Sequence, residues 1–431
     1  MAPFLCRALR AERHELPALA WSFAYFFTLL AGYYVLRPVR DEMGVQAGTG
    51  ALPWLFSATF VAMLLLVPLY GWLCARLPRA RLLPAVYAFF ALNLAGFWAA
   101  LRAGVPVAAL APVFFVWLSV YNLFVVSVFW SYMADLFDTR QAARLFGAIA
   151  AGGSAGAIAG PALTALAAAA LGTPGLLLVS AALLCASMAC IAVLARWSRA
   201  HPRAGEPPPE APLGGSALAG VRAVLASPFL LGICGYLLCY AMLFTTLYFQ
   251  QTAIFGAEIP DPRERLRLFA TLDLTANSLA LLLQLFVFAP LGALLGVAWM
   301  LALMPLLAIA GFAWLGAAPG LGALVTLVVS TRIVEFALSK PVRESLYTAV
   351  PREARYKAKS FIDTVVYRGG DAASGWMFGA LQGAGLGLAA IAFAMLPLAL
   401  AWLGLAFFLG SRMRRWMRAS DARSAPSPAL P

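Results

Sequence analysis

The chain has 431 residues, of which 63% are apolar and only 11% charged, and its net charge is +13. A soluble domain carries about 25% charged residues, so this composition, with a mean hydropathy of +0.86, excludes an ordinary soluble protein and indicates a polytopic membrane protein. Nucleic-acid binding is excluded by where the cations lie: most of the 31 Lys and Arg fall in the N-terminal tail, in alternate loops and in the C-terminal tail, the positive-inside pattern of a chain with both termini cytoplasmic.

A spanning helix needs roughly 20 mainly apolar residues. Twelve such spans are predicted: 17–36, 51–74, 83–101, 107–133, 145–170, 174–195, 228–254, 268–290, 293–316, 320–347, 361–386 and 388–411. The residues before the first span include acids as well as arginines, so they are not expected to form a cleavable leader. The first span ends in Arg37-Pro38-Val39-Arg40-Asp41-Glu42, and Tyr33, Arg37, Arg40 and Asp41 share one face. After the second span comes Gly71-Trp72-Leu73 and then Arg76-Leu77-Pro78-Arg79-Ala80-Arg81. Asn122 lies in the fourth span, which runs into Asp138-Thr139-Arg140-Gln141-Ala142-Ala143-Arg144. The fifth carries Gly152-Gly153-Ser154-Ala155-Gly156 and continues to Gly160-Pro161, small residues that let helices approach closely.

The stretch 196–227, with Pro207-Pro208-Pro209 and Gly214-Gly215, reads as a cytoplasmic linker. It separates an N-terminal half, 1–195, from a C-terminal half, 228–411, and a basic tail follows at 412–431. The seventh span holds Gln250-Gln251 and Tyr236, Tyr240 and Tyr248; the eighth holds Asp273 with Asn277. The tenth places Arg332, Glu335, Ser339 and Arg343 on one face, with Arg332 and Arg343 about 16 Å apart. It ends in Lys340-Pro341-Val342-Arg343-Glu344, a second copy of the opening motif. The eleventh carries Asp363, Arg368 and Asp371 beyond the basic loop Arg352 to Lys359. The tail Arg412-Met413-Arg414-Arg415-Trp416-Met417-Arg418 fits an anchor on anionic headgroups.

Charges are costly in lipid and mark transport paths when they occur there. Guanidinium groups stay charged and grip phosphate or carboxylate through paired N–H donors, so Arg37, Arg40, Lys340 and Arg343 are candidate ligands for an anionic small molecule. Asn122 and Gln250 are candidate uncharged hydrogen-bonding partners. Asp41, Glu42, Asp273, Arg332, Glu335, Glu344 and Asp363 are candidates for gates or coupling. The same charges also fit gate pairs alone: Arg40 with Asp41 or Glu42, Arg343 with Glu344, Arg332 with Glu335. Asp273 or Glu335 is the candidate proton site of a proton-coupled efflux protein, and full pairing would suit a transport-inactive scaffold. The six cysteines have no metal spacing and both histidines lie outside the spans, so no metal, cofactor or enzymatic site is expected. No GxxxxGK[ST] loop is present, so ATP hydrolysis is not expected.

The fourth and fifth spans are repeated in parallel by the tenth and eleventh: Asp138 to Arg144 is echoed by Pro351 to Arg355, and Gly152-Gly153-Ser154-Ala155-Gly156 by Gly369-Gly370-Asp371-Ala372-Ala373. This construction is similar to the major facilitator superfamily, an all-α fold of two pseudo-symmetric six-helix halves. Leu36-Arg37-Pro38-Val39-Arg40-Asp41 resembles the first-helix signature of the ATP/ADP nucleotide-exchange transporters of plastids and intracellular bacteria, with Arg40 where that family has lysine. Pro341, Arg343, Glu344 and Tyr347 resemble its Pro-x-Lys-Glu-x-x-Tyr, and Lys357, Lys359, Ile362 and Asp363 its Lys-x-Lys-x-x-Ile-Asp. The resemblance implies a twelve-helix facilitator and antiport of nucleotides, ATP against ADP, with Arg37, Arg40 and Arg343 among the charged positions. The Arg and Ala bias points to a bacterial inner membrane, and the chain is read as a monomer.

Overall fold

The computed structural model describes residues 12–76, 79–200, 221–222, 224–350, 358–359 and 361–424, and every regular element among them is helical. In chain order these are α1 Leu16–Ala47, α2 Leu52–Arg76, α3 Arg79–Arg102, α4 Val107–Leu136, α5 Thr139–Ala200, α6 Pro228–Glu258, α7 Pro262–Phe286, α8 Phe288–Ala317, α9 Leu321–Val334, α10 Lys340–Leu346, α11 Tyr367–Gly383, α12 Leu388–Ala394 and α13 Leu396–Ser424. Two π-helical turns interrupt them, Glu335–Ser339 between α9 and α10 and Ile362–Val366 before α11. Helices satisfy their own backbone groups, which hydrocarbon cannot do. Among the described residues, 10 helical stretches are long and apolar enough to cross a membrane. Large apolar side chains such as Leu92, Leu166, Phe286 and Leu294 stand outward, as a lipid-facing surface requires.

The fifth and sixth predicted spans form one helical run, α5, that folds back at Gly172. Its φ of 59° and ψ of −177° are open to glycine and strained for other residues. The eleventh span, with its three charges, is among the less apolar stretches and begins in the π turn. The charged motifs lie within their helices rather than at the very end of them. Helix α1 continues past Pro38 to Ala47, and the tenth span passes through a π turn into α10. Proline frees the carbonyl four residues back and distorts the turn before it; the π turn immediately before Pro341 absorbs that defect. Residues 201–220 of the predicted linker and 425–431 of the tail lie outside the described residues. The basic residues Arg412, Arg414, Arg415 and Arg418 extend α13.

The chain divides into two compact units: residues 1–208 with 255–277, and 209–254 with 278–431. In the first, α1 is central. The first half of α5 lies against it through a ladder of small residues. A Cβ on Gly152 would stand 2.5 Å from the Phe23 carbonyl oxygen, one on Gly156 2.4 Å from that of Phe27, and one on Gly160 2.6 Å from that of Ala31. The second half of α5 binds α1 through hydroxyls: Ser180 donates to the Gly32 carbonyl at 3.0 Å, and Thr28 and Ser187 are bonded at 2.8 Å. Helices α3 and α4 close the core through Phe26 stacked on Phe129 and a buried Tyr25–Tyr87 hydroxyl pair. In the second unit, Gly410 of α13 meets Ala298 of α8, Gly232 of α6 meets Phe408 and Leu409 of α13, and Gly370 of α11 meets Leu238 and Ala241 of α6.

Gly156→Val should therefore separate α1 from α5, at a cost of about 1–3 kcal/mol for overpacking. We expect a lower melting temperature in detergent for this variant. Gly147→Ala in the same helix, where an added Cβ meets nothing within 4 Å, should leave it unchanged or slightly raised.

Candidate functional site

The first unit gathers charges around the far end of α1. Arg37 Nη1 lies 3.6 Å from Asp273 Oδ1 of α7, beyond hydrogen-bonding distance, and its guanidinium lies over the Tyr34 ring. It makes no hydrogen bond among the described residues. Arg40 turns onto its neighbour, with Nη2 2.6 Å from Asp41 Oδ1, and stacks over Phe115 of α4. Glu42 takes a two-pronged bond from Arg265 of α7, each prong 2.8 Å. The remaining Arg265 nitrogen donates to the carbonyls of Ile259 and Pro260 in the α6–α7 turn, and Gln46 donates to Glu42 at 3.0 Å. One arginine thus closes the turn between two helices and ties it to α1. Asn277 donates to the Ala157 carbonyl on α5 at 2.7 Å, so it packs against the small-residue motif. Asn122 is half-buried and makes no hydrogen bond among the described residues.

The second unit holds the other motif copy. Arg343 Nη1 donates to Glu335 Oε1 at 3.0 Å, across the π turn. Its guanidinium lies over the Tyr240 ring, and Tyr240 stacks on Tyr367. Arg368 lies over Tyr367 and pairs with Asp371, which accepts from Thr245 at 2.8 Å. Glu344 pairs with Lys359, whose ammonium lies over Tyr347. Lys359, Arg343 and Lys340 all act on Asp363 electrostatically, and Lys340 is exposed. Gln250 is fully buried; its amide nitrogen reaches the Leu388 carbonyl at 3.4 Å and its oxygen has no hydrogen-bond partner among the described residues.

The pairings differ in part from those read from sequence. Glu335 accepts from Arg343, Glu344 pairs with Lys359 rather than Arg343, and Asp273 has Arg37 of α1 beside it. Helical spacing puts residues on a face, but long side chains choose partners by reach. Arg355 and Lys357 lie outside the described residues. Sequence reasoning passed over Arg265, which looks like an ordinary loop charge in Arg263-Glu264-Arg265. The available signal was its register, two turns before Asp273.

It also passed over Glu15. This residue sits just before α1, accepts from both Arg144 terminal nitrogens and from Gln141, and bonds the Glu12 N–H. Asp138 and Gln141 bond each other's backbone N–H, a reciprocal cap on α5 that aims Gln141 and Arg144 at Glu15.

No family model and no curated protein matches the chain. Solved structures do. A bacterial homologue of the human lysosomal transporter Spinster is similar over 97% of this chain and 100% of its own, with a TM-score of 0.58 and 15% identity. The nucleoside transporter NupG is similar over 92% of this chain and 98% of its own, at 0.57 and 14%. The POT family transporter PepTSo is similar over 94% and 98%, at 0.61 and 15%. The chain has their fold, an all-α fold of membrane transporters.

The Glu15 cluster carries a pH prediction. Burial pushes its carboxyl up, but the bonds from the Glu12 N–H, Arg144 and Gln141 outweigh that and hold it below the usual 4.5. The stabilisation is full above the unfolded value and disappears as pH falls through the lowered folded value. Wild type should therefore melt above Glu15→Gln at pH 7 in detergent, and the gap should narrow as the pH falls below 4.5.

Proposed function

We propose that this chain is a secondary active transporter of an anionic small molecule, working by alternating access, and that its substrates are nucleotides exchanged as ATP against ADP. The observation that carries the reading is a difference between arginines. A guanidinium has five N–H donors. Arg265 directs all three of its nitrogens to carboxylate and carbonyl oxygens, so it holds structure. Among the described residues Arg343 spends one hydrogen bond on Glu335, and Arg37 has a long ion pair with Asp273 but no hydrogen bond. Both sit among apolar helices, each beside an aromatic ring. Cations held among apolar helices with unused donors, Arg343 buried and Arg37 partly so, are suited to a ligand that brings oxygens, and phosphate groups supply them in number.

In this reading Arg37, Arg40, Arg343 and Lys340 attract phosphates, while Asn122 and Gln250 offer uncharged hydrogen bonds. Asp41, Glu42, Asp273, Arg332, Glu335, Glu344 and Asp363 hold or release the gates. The functional halves are 1–195 and 228–411, joined by the linker 196–227. The protein works as a monomer in a bacterial inner membrane with both termini cytoplasmic, and the basic tail rests on anionic headgroups. The sequence resemblance to nucleotide exchangers at Arg37 to Asp41 and Pro341 to Tyr347 supports the choice of nucleotide.

Purified protein in liposomes loaded with unlabelled ADP should take up labelled ATP, and liposomes without internal nucleotide should not. Arg37→Ala and Arg343→Ala should each reduce that exchange at least tenfold, the loss of about 1.4 kcal/mol expected for a charge-assisted contact. Folded protein that shows no nucleotide-dependent uptake would refute the nucleotide assignment.

A further inference from the structure

Helix α6 carries a stripe of rings that ends in a buried amide. With 3.6 residues per turn, Tyr240, Phe244 and Tyr248 share one face, and Gln251 falls at the centre of that face. The outward-facing leucines of the helix, Leu231 and Leu238, stand on the opposite side. The three rings are half-buried, whereas Leu243 and Phe249 beside them are fully buried. The stripe begins at Arg343, whose guanidinium lies over Tyr240, and Phe244 leans on Tyr240 with ring centroids 4.8 Å apart.

Gln251 is only 2% exposed, yet its Nε2 has no hydrogen-bond partner among the described residues. A buried amide N–H without an acceptor costs stability, and a leucine of similar size would avoid that cost. Gln250, about 100° further round the helix, turns to the Leu388 carbonyl instead. From Arg343 outward, this face therefore offers a cation, then rings, then an unused amide donor. Tyr240 and Gln251 are separated by roughly 16 Å along the axis at 1.5 Å per residue.

A purine nucleotide presents its chemistry in the same order: phosphates, an aromatic ring, and acceptor nitrogens on the ring edge. We propose that this face of α6 recognises the base. Phe244 and Tyr248 receive the ring, and Gln251 donates to an acceptor nitrogen on its edge while Arg343 holds the phosphates. Stacking accepts any base, so the amide adds the requirement for an acceptor. A phosphate compound without a base satisfies Arg343 alone. The proposal rests on the reading of a phosphate-bearing substrate and assigns the residues that tell a nucleotide from other phosphates.

The test uses full-length protein in detergent, with ADP and pyrophosphate as probes and thermal stabilisation as the readout. ADP should protect wild type at concentrations about tenfold or more below those needed of pyrophosphate. Gln251→Leu should melt at or above wild type without ligand, because the orphaned N–H is gone. It should need about tenfold more ADP for the same protection and keep its response to pyrophosphate. Phe244→Leu should also lose the ADP response selectively, and Phe244→Tyr, which keeps a ring, should retain it; this pair decides the matter if Gln251→Leu does not fold. Equal protection of wild type by the two probes overturns the proposal and leaves anion binding standing. So does a folded Gln251→Leu that melts below wild type, loses both responses or keeps both. If neither probe protects folded wild type, the phosphate-bearing substrate and the base site fall together.

Discussion

An ionised side chain inside a membrane protein must be given partners, because lipid offers none and burial of an isolated charge costs several kcal/mol. Among the described residues this chain meets that constraint to different degrees. Arg265 is fully committed to Glu42 and to the carbonyls of Ile259 and Pro260. Arg37 and Arg343 are held by one carboxylate and one ring each. The same chemical group is therefore fully committed in one place and partly committed in the others.

Close packing decides where those charges stand. The small residues of α5 bring the α1 backbone near enough that carbonyl oxygens of α1 would touch an added Cβ, and hydroxyls from the other half of α5 hold its opposite side. With α1 fixed along its length, the Arg37 to Glu42 motif is presented at a defined depth and rotation. In the second unit the π turn before Pro341 performs the corresponding adjustment for Glu335 and Arg343. Local defects in regular helix, at Pro38, Gly172 and the π turns, are thus the places where the fold acquires its chemical features.

Most of the architecture was legible in the sequence. Hydropathy located the spans, Gly172 fell in the predicted break between the fifth and sixth, and the small residues of α5 proved to be a contact surface. Helix ends were less legible, since proline after an apolar run looks like a stop, yet α1 passes Pro38 because its helix is supported by neighbours. Partner choice was least legible. Face spacing grouped Arg332, Glu335 and Arg343, and the three-dimensional path through the π turn brings Arg343 to the Glu335 carboxylate. Arg265 and Glu15 were missed because their partners lie more than a hundred residues away and loop charges carry no signature of their own.

The central claim is that committed arginines hold the fold and uncommitted ones bind anions. The most direct measurement compares Arg265→Lys with Arg37→Lys and Arg343→Lys, scoring unfolding in detergent and protection by ADP side by side. Lysine keeps the charge but loses the planar fork. The account predicts that Arg265→Lys melts well below wild type while still being stabilised by ADP, and that the other two melt near wild type and lose that stabilisation. Arg37 and Arg343 variants as unstable as Arg265→Lys, with ADP protection retained, would contradict it.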